Sequence, residues 1–331
     1  MHYLKQREVQ LALLIVLLAG AVGLRAPVFL TAGSLGNLLT DSTLLIMLAL
    51  TQMFVIVTRG IDLSVASNLA LSGMMAALLA VNYPDLPLAL VMLVAVLIGL
   101  LLGLVNGYLI GYLDLPPIVV TLGTMSVYRG LVFVLSGGAW VSSHQMPANF
   151  IAFPLSHLFG VTHLVWIAAA AMIVTWLLAR YTRFGRDLYA IGNQPLAARY
   201  VGISTARRLF WTYGLSGMMA GLCGYLWVAR YAVAYSEIAY GFEFTVIAAC
   251  VIGGISIAGG AGTVAGAVLG ALFLSVINNA LPIIKVSPFW QSALTGIVIL
   301  TAVLINARGN KKAGRQILPL AMLQPSSRSA A

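Results

Sequence analysis

The chain has 331 residues, of which 61% are hydrophobic and only 8% charged, against roughly a quarter charged in a soluble domain. So few charges cannot cover a water-exposed surface, which excludes a soluble enzyme, a disordered chain and a secreted disulfide scaffold and leaves an integral membrane protein. The net charge of +10 comes from 18 Lys and Arg against 8 Asp and Glu; its placement between apolar runs argues for membrane topology rather than a nucleic-acid partner.

Ten apolar runs follow one another: residues 9–24, 43–57, 63–81, 88–112, 118–135, 164–178, 209–228, 244–257, 263–281 and 289–305. A crossing helix needs about 20 residues, so the shorter runs borrow from their flanks. Runs such as 88–102 do not alternate as barrel strands do. The expected fold is all-α and polytopic, with about ten transmembrane helices. With the N-terminus inside, ten crossings return the C-terminus inside. Fourteen basic residues then face the cytoplasm: Lys5, Arg7, Arg59, six in residues 180–208, and Arg308, Lys311, Lys312, Arg315 and Arg328. Only Arg25, Arg129, Arg230 and Lys285 do not, and inverting the chain would reverse that ratio. Lys5 and Arg7 ahead of an apolar run, with Ala19-Gly20-Ala21 after it, have the outline of a signal peptide. Cleavage would leave nine crossings and misplace one end. Residues 1–308 read as a single transmembrane domain and 309–331 as a basic cytoplasmic tail.

Taken along the chain, residues 58–64 separate two spans at the cytoplasmic side. Asp62 is placed to cap the next helix, with Arg59 as a nearby ion partner. Gly99, Gly103, Gly107 and Gly111 repeat every four residues, as do Gly217 and Gly221, and Gly262, Gly266 and Gly270. That spacing lets neighbouring helix backbones approach closely. Residues 137–163 form a long outer connection and 181–206 a polar cytoplasmic one. In the latter, Pro195 opens a short helix over 196–201 and Gly202 ends it, either as plain surface or as a docking element. Residues 244–257 are short and end in Gly253-Gly254, the pattern of a half helix.

Polar residues within the runs need a reason. Gln52, Asn68, Asn106, Thr121, Thr124, Asn278 and Asn279 are candidates for lining a path for a neutral polyhydroxylated solute, with interhelical hydrogen bonding as the alternative. Intramembrane carboxylates are few, which counts against an ion-coupled carrier. Cys223 and Cys250 lie in apolar runs and imply no disulfide or metal site. No catalytic constellation, metal cluster, cofactor motif or G-x-x-x-x-G-K-[ST] loop is present in the sequence. The stretch from Gly260 to Ala265 matches the dinucleotide pattern G-x-G-x-x-A weakly, and reads as a turn into a packed helix.

Several motifs in order carry a family resemblance. They are Gly60-Ile61-Asp62-Leu63-Ser64-Val65; Pro117, Thr121-Leu122-Gly123-Thr124 and Arg129-Gly130; Phe184-Gly185-Arg186, Gly192-Asn193, Ala197-Ala198 and Gly202-Ile203; and Gly253-Gly254-Ile255-Ser256 with Gly259-Gly260-Ala261-Gly262. Through nearly its whole length the chain resembles the membrane permease of a bacterial ATP-binding-cassette sugar importer of the ribose type. Residues 135–141 and 287–291 are similar to the rhamnose branch, with the autoinducer-2 and ribose permeases beside it. Ala66 and Arg59 depart from the family's usual glycines.

The resemblance implies a multi-pass inner-membrane subunit that is not itself an enzyme. Its expected partners are a separate cytoplasmic ATPase, a periplasmic sugar-binding protein and a second permease subunit, identical or related. It also implies an ATPase-coupling loop at Phe184, Gly185, Arg186, Ala197, Ala198, Gly202 and Ile203. An ion-coupled secondary transporter is the rival reading.

Overall fold

The computed structural model describes residues 7–285 and, beyond them, only the isolated positions 290, 293, 296, 297 and 300. The tenth expected span, the rhamnose-like residues 287–291 in the main and the basic tail lie outside the described residues. Among the described residues the fold is all-α apart from two minimal strand pairs. Its helices are α1 (Arg7–Arg25), α2 (Ala32–Val57), α3 (Val65–Asn82), α4 (Leu88–Gly111), α5 (Pro117–Ser136), α6 (Ala148–Leu155), α7 (His163–Tyr181), α8 (Arg183–Asn193), α9 (Pro195–Tyr200), α10 (Thr205–Tyr231), α11 (Phe242–Ile252) and α12 (Val264–Ile283). Strand β1 (Val141–Ser142) pairs antiparallel with β4 (Val233–Ala234), and β2 (His157–Leu158) with β3 (Val161–Thr162).

Among the described residues, seven helices are long and apolar enough to cross a membrane: α1, α2, α3, α4, α5, α7 and α12. Two further expected crossings, α10 and α11, differ from these for separate reasons. Helix α10 has 27 residues but a low apolarity, because it is rich in glycine and small polar residues and is encased by other helices instead of lipid. Gly217 and Gly221 pack on Gly99 and Gly103 of α4, and a Cβ at Gly99 would overlap the Gly217 carbonyl oxygen. Gly224 meets Gly73 of α3 in the same way. This is the backbone-to-backbone contact the glycine spacing called for.

Helix α11 is only 11 residues long, about 16 Å at 1.5 Å per residue, roughly half a bilayer core. The glycine-rich residues 253–263 continue the crossing toward the end of the bundle where α8 lies. Ala249 of α11 and Gly253, the residue that ends it, pack on Gly270 and Gly266 of α12. Gly262 stands outside that helix: Thr263 is the N-cap, its hydroxyl accepting from the Gly266 N–H at 2.9 Å.

Helix α2 begins at Ala32, eleven residues before the apolar run. Its first turns hold Gly33, Ser34, Gly36, Asn37, Thr40 and Asp41, which no hydropathy window selects. At 26 residues it extends about 39 Å, longer than a hydrocarbon core of about 30 Å.

The two ends of the bundle are chemically distinct. At one end lie α8, α9, residues 58–64 and 253–263, and the start of α1, whose Glu8 accepts from the Thr263 hydroxyl at 3.0 Å. At the other lie α6, the β1–β4 pair and the Asp41–Arg230 ion pair. The arginines follow the expected division. Arg59 and the six of residues 180–208 crowd the first end, while Arg129 turns to the Ser236 and Ile238 carbonyls at 3.2 and 2.7 Å near the second.

Candidate functional site

Residues 58–64 are held by a buried polar knot. Oδ1 of Asp62 accepts from the Ser64 N–H at 3.0 Å and the Ser64 hydroxyl at 2.7 Å, and Oδ2 accepts from the Ser216 hydroxyl of α10 at 2.9 Å. Nδ2 of Asn106 in α4 donates to Ser64 Oγ at 2.8 Å, and the Thr121 hydroxyl of α5 to the Ile61 carbonyl at 3.1 Å. One loop is thereby tied to α4, α5 and α10. Asp62 supports the start of α3 from upstream, since the N-cap position is Ser64. Arg59 is not its ion partner.

Arg59 instead faces the arginine-rich end. Its φ of 67° is left-handed, unusual for a side-chain-bearing residue, and the guanidinium leaves the Asp62 side of the turn. Nε donates to the Gly192 carbonyl at 2.7 Å and Nη2 to the Asn193 carbonyl at 2.8 Å. These are the last residues of α8. The Gly260 N–H donates to the Val57 carbonyl at 2.9 Å, and the Tyr189 hydroxyl of α8 to the Gly262 carbonyl at 2.8 Å. Burial pushes the Tyr189 phenol above its ordinary value, so it stays protonated and donating. Three segments distant in sequence, 57–60, 189–193 and 259–262, thus form one junction. Glycine is required there because a Cβ at Gly192 would overlap the Val57 carbonyl oxygen.

Helix α8 is clamped to α10 by Arg208, whose Nε donates to Asp187 Oδ2 at 2.7 Å, and whose guanidinium lies 5.9 Å over the Phe184 ring. Phe184 also meets Phe54 edge-on at 6.1 Å. Helix α9 presents Leu196, Tyr200 and Val201 outward, 64%, 89% and 76% exposed, while Ala198 is turned inward at 3%. Gly202, with φ 85°, ends the segment as expected.

At the opposite end, α2, α10, α11 and α12 surround a cavity of about 560 Å³, within the usual 300–1,000 Å³ of small-molecule sites. Asp41 Oδ1 and Arg230 Nη2 meet across it at 2.9 Å. Asn37, Ser275, Asn278 and Asn279 add amides and a hydroxyl, and Trp227, Tyr231 and Phe242 add aromatic walls.

Residues 34–303 match the family described as branched-chain amino acid transport system / permease component. The chain belongs to that family. This permease is a multi-pass protein of the inner membrane and a transport subunit, not an enzyme. It is similar to the autoinducer 2 import system permease protein of Enterobacter sp. (strain 638), 34% identical over 306 residues that cover 92% of this chain and 88% of the relative. It is equally similar to the galactose/methyl galactoside import permease protein of Escherichia coli (strain K12), 34% identical over 320 residues, with 92% and 95% covered. The protein of the same name from Salmonella typhimurium (strain LT2) is 35% identical over 320 residues, again with 92% and 95% covered. No solved structure matches the chain.

The permease distributes its expected path residues between two roles. Asn68 donates to the Gly99 carbonyl at 3.0 Å and accepts from Ser72 at 3.1 Å. With Asn106 and Thr121 it therefore locks helices together. Thr124 bonds its own helix at the Val120 carbonyl. Gln52 is wholly buried, and among the described residues neither of its amide atoms has a partner. Asn278 and Asn279 alone of the seven line the cavity.

The expected coupling residues divide similarly. Arg186 and Ala197 are exposed, Phe184 and Ile203 half-buried, and Gly185 and Ala198 buried. Sequence reading missed Asn37, Asp41, Trp227 and Arg230, which sit beyond or at the edge of the apolar runs. It also missed helix α8, whose mixed composition carries no long apolar run. Its strong amphipathic pattern was the signal available.

Proposed function

We propose that the permease is the membrane-spanning subunit of an ATP-binding-cassette importer for a monosaccharide or a sugar-like solute. The observation that carries this reading is similarity over nearly full length to permeases named for autoinducer 2 and for galactose. Energy comes from a separate cytoplasmic ATPase, solute from a periplasmic binding protein, and a second permease subunit completes the pathway. The ATPase docks on the outward face of α9, at Leu196, Tyr200 and Val201. Its closure moves α8, and the Arg59 junction passes the motion to residues 57–60 and 259–262, so that the bundle alternates between its two open states. Rhamnose is the cargo suggested by residues 135–141 and 287–291.

Uptake of labelled rhamnose, galactose, ribose, autoinducer 2 and leucine in a deletion strain, with and without the restored gene, tests the proposal. Restored, ATPase-dependent uptake of a sugar or of autoinducer 2 is expected. Uptake that persists without any ATPase and follows an ion gradient would overturn it in favour of a secondary transporter.

A further inference from the structure

We infer that the cavity between α2, α10, α11 and α12 is a binding site on the permease itself for a neutral polyol, which receives the sugar from outside before the bundle turns over. The inference rests on the sugar-permease reading and adds the place and chemistry of a substrate site.

Four observations carry it. First, the cavity lies at the end of the bundle opposite α8 and α9, the side from which solute enters. Second, among the described residues the charges that line it cancel: Asp41 and Arg230 are paired at 2.9 Å, both side chains about three-quarters buried. The pair offers a ligand no net charge, and a hydroxyl can donate to the carboxylate and accept from the guanidinium with the pair intact. Third, among the described residues the buried Nε of Arg230 has no hydrogen-bond partner. An unsatisfied buried donor is costly, and a small shift of the Arg230 side chain on binding would let a ligand hydroxyl satisfy it. Asn279 uses its Nδ2 on the Ser275 carbonyl at 3.1 Å, which leaves its Oδ1 to accept. Fourth, Trp227 packs edge-on to Phe242 at 5.0 Å and beside Tyr231 at 5.2 Å. That gives the polar wall an aromatic neighbour suited to the C–H face of a sugar ring. A lipid chain would find the Asp41, Arg230 and asparagine groups unfavourable.

The test uses the full-length permease in right-side-out membrane vesicles with Asn37, an exposed residue of the cavity wall, changed to cysteine. Native Cys223 and Cys250 are buried, so the parent protein should take up little of a membrane-impermeant methanethiosulfonate. Asn37→Cys should label, and one of galactose, rhamnose or ribose should slow the labelling in proportion to its concentration, about threefold at twice its dissociation constant. Trp140→Cys, exposed at the same end but outside the cavity, should label at one rate throughout. Trp227→Leu or Asn279→Ala added to Asn37→Cys should weaken the protection, and the second, milder change guards against a folding defect in the first.

Equal labelling of Asn37→Cys with and without all three sugars would overturn the inference. So would protection of Trp140→Cys to the same degree. If the parent permease still imports one of these sugars, only the cavity assignment falls. If leucine protects and no sugar is imported, the sugar reading falls with it.

Discussion

Asp62 shows how a short motif is read correctly in kind and wrongly in detail. Its carboxylate was expected to brace the start of a helix. It does so through Ser64, and also reaches Ser216, 154 positions away. Its presumed partner Arg59 was three residues off and of opposite charge, a sound local inference. The left-handed backbone at Arg59 reverses the chain there, and a sequence does not announce such a reversal. Asp62→Ala orphans the Ser64 N–H and the Ser64 and Ser216 hydroxyls where all three residues are buried. At about 1–3 kcal/mol for a buried group left unsatisfied, the purified variant should melt clearly below the parent in detergent, as read by thermal denaturation. Ala198 makes the complementary point. It lies in the helix proposed for docking, but that helix is six residues long and only its packing decides which face is out. Ala198→Asp should therefore lower the yield of folded permease. Tyr200→Ala should leave yield unchanged and reduce ATPase-dependent uptake, with immunoblot and uptake measured on the same cells. Wild-type uptake in Tyr200→Ala would remove α9 from the docking surface.

At the scale of the element, the four-residue glycine spacing in α4 was legible, because a helix places such positions on nearly one face. What was not legible is which helix each glycine would meet. The structure pairs Gly99 and Gly103 with Gly217 and Gly221, and Gly107 with the backbone at Phe210. Gly123 of α5 has no such duty: nothing lies within 4 Å of a Cβ placed there. Gly103→Leu should thus separate α4 from α10 and exceed the 1–3 kcal/mol usual for overpacking, leaving little monodisperse protein on size exclusion. Gly123→Ala should be tolerated. Helix α2 teaches the reverse lesson. Its apolar run was found, but its first eleven residues are polar and glycine-rich, and they form a wall of the cavity. Hydropathy detects contact with lipid or core, so it overlooks the part of a helix that faces a polar cavity.

Across the whole molecule, charge placement implies a sidedness. Cysteines placed at Leu196 and Tyr200 should label only from the cytoplasm and those at Trp140 and Tyr240 only from outside; the opposite pattern would invert the topology. The Arg59 junction should matter to coupling more than to stability, because its carbonyl acceptors lie on α8 and its backbone in the loop of Asp62. In proteoliposomes holding the permease with its ATPase and binding protein, Arg59→Gln should keep ATP hydrolysis while solute moved per ATP falls several-fold. An unchanged ratio would reduce Arg59 to a surface tie. The ordered motifs carried the family resemblance, whereas composition, apolar runs and the distribution of arginines pointed to a membrane-embedded helical bundle and its expected sidedness. Those properties follow from transfer of side chains between water and lipid, which each residue expresses on its own. Which polar residues lock helices, which line the cavity and how α8 meets residues 57–60 and 259–262 depend on groups far apart in the chain. Only tertiary packing decides those, because a hydrogen bond needs both partners in place.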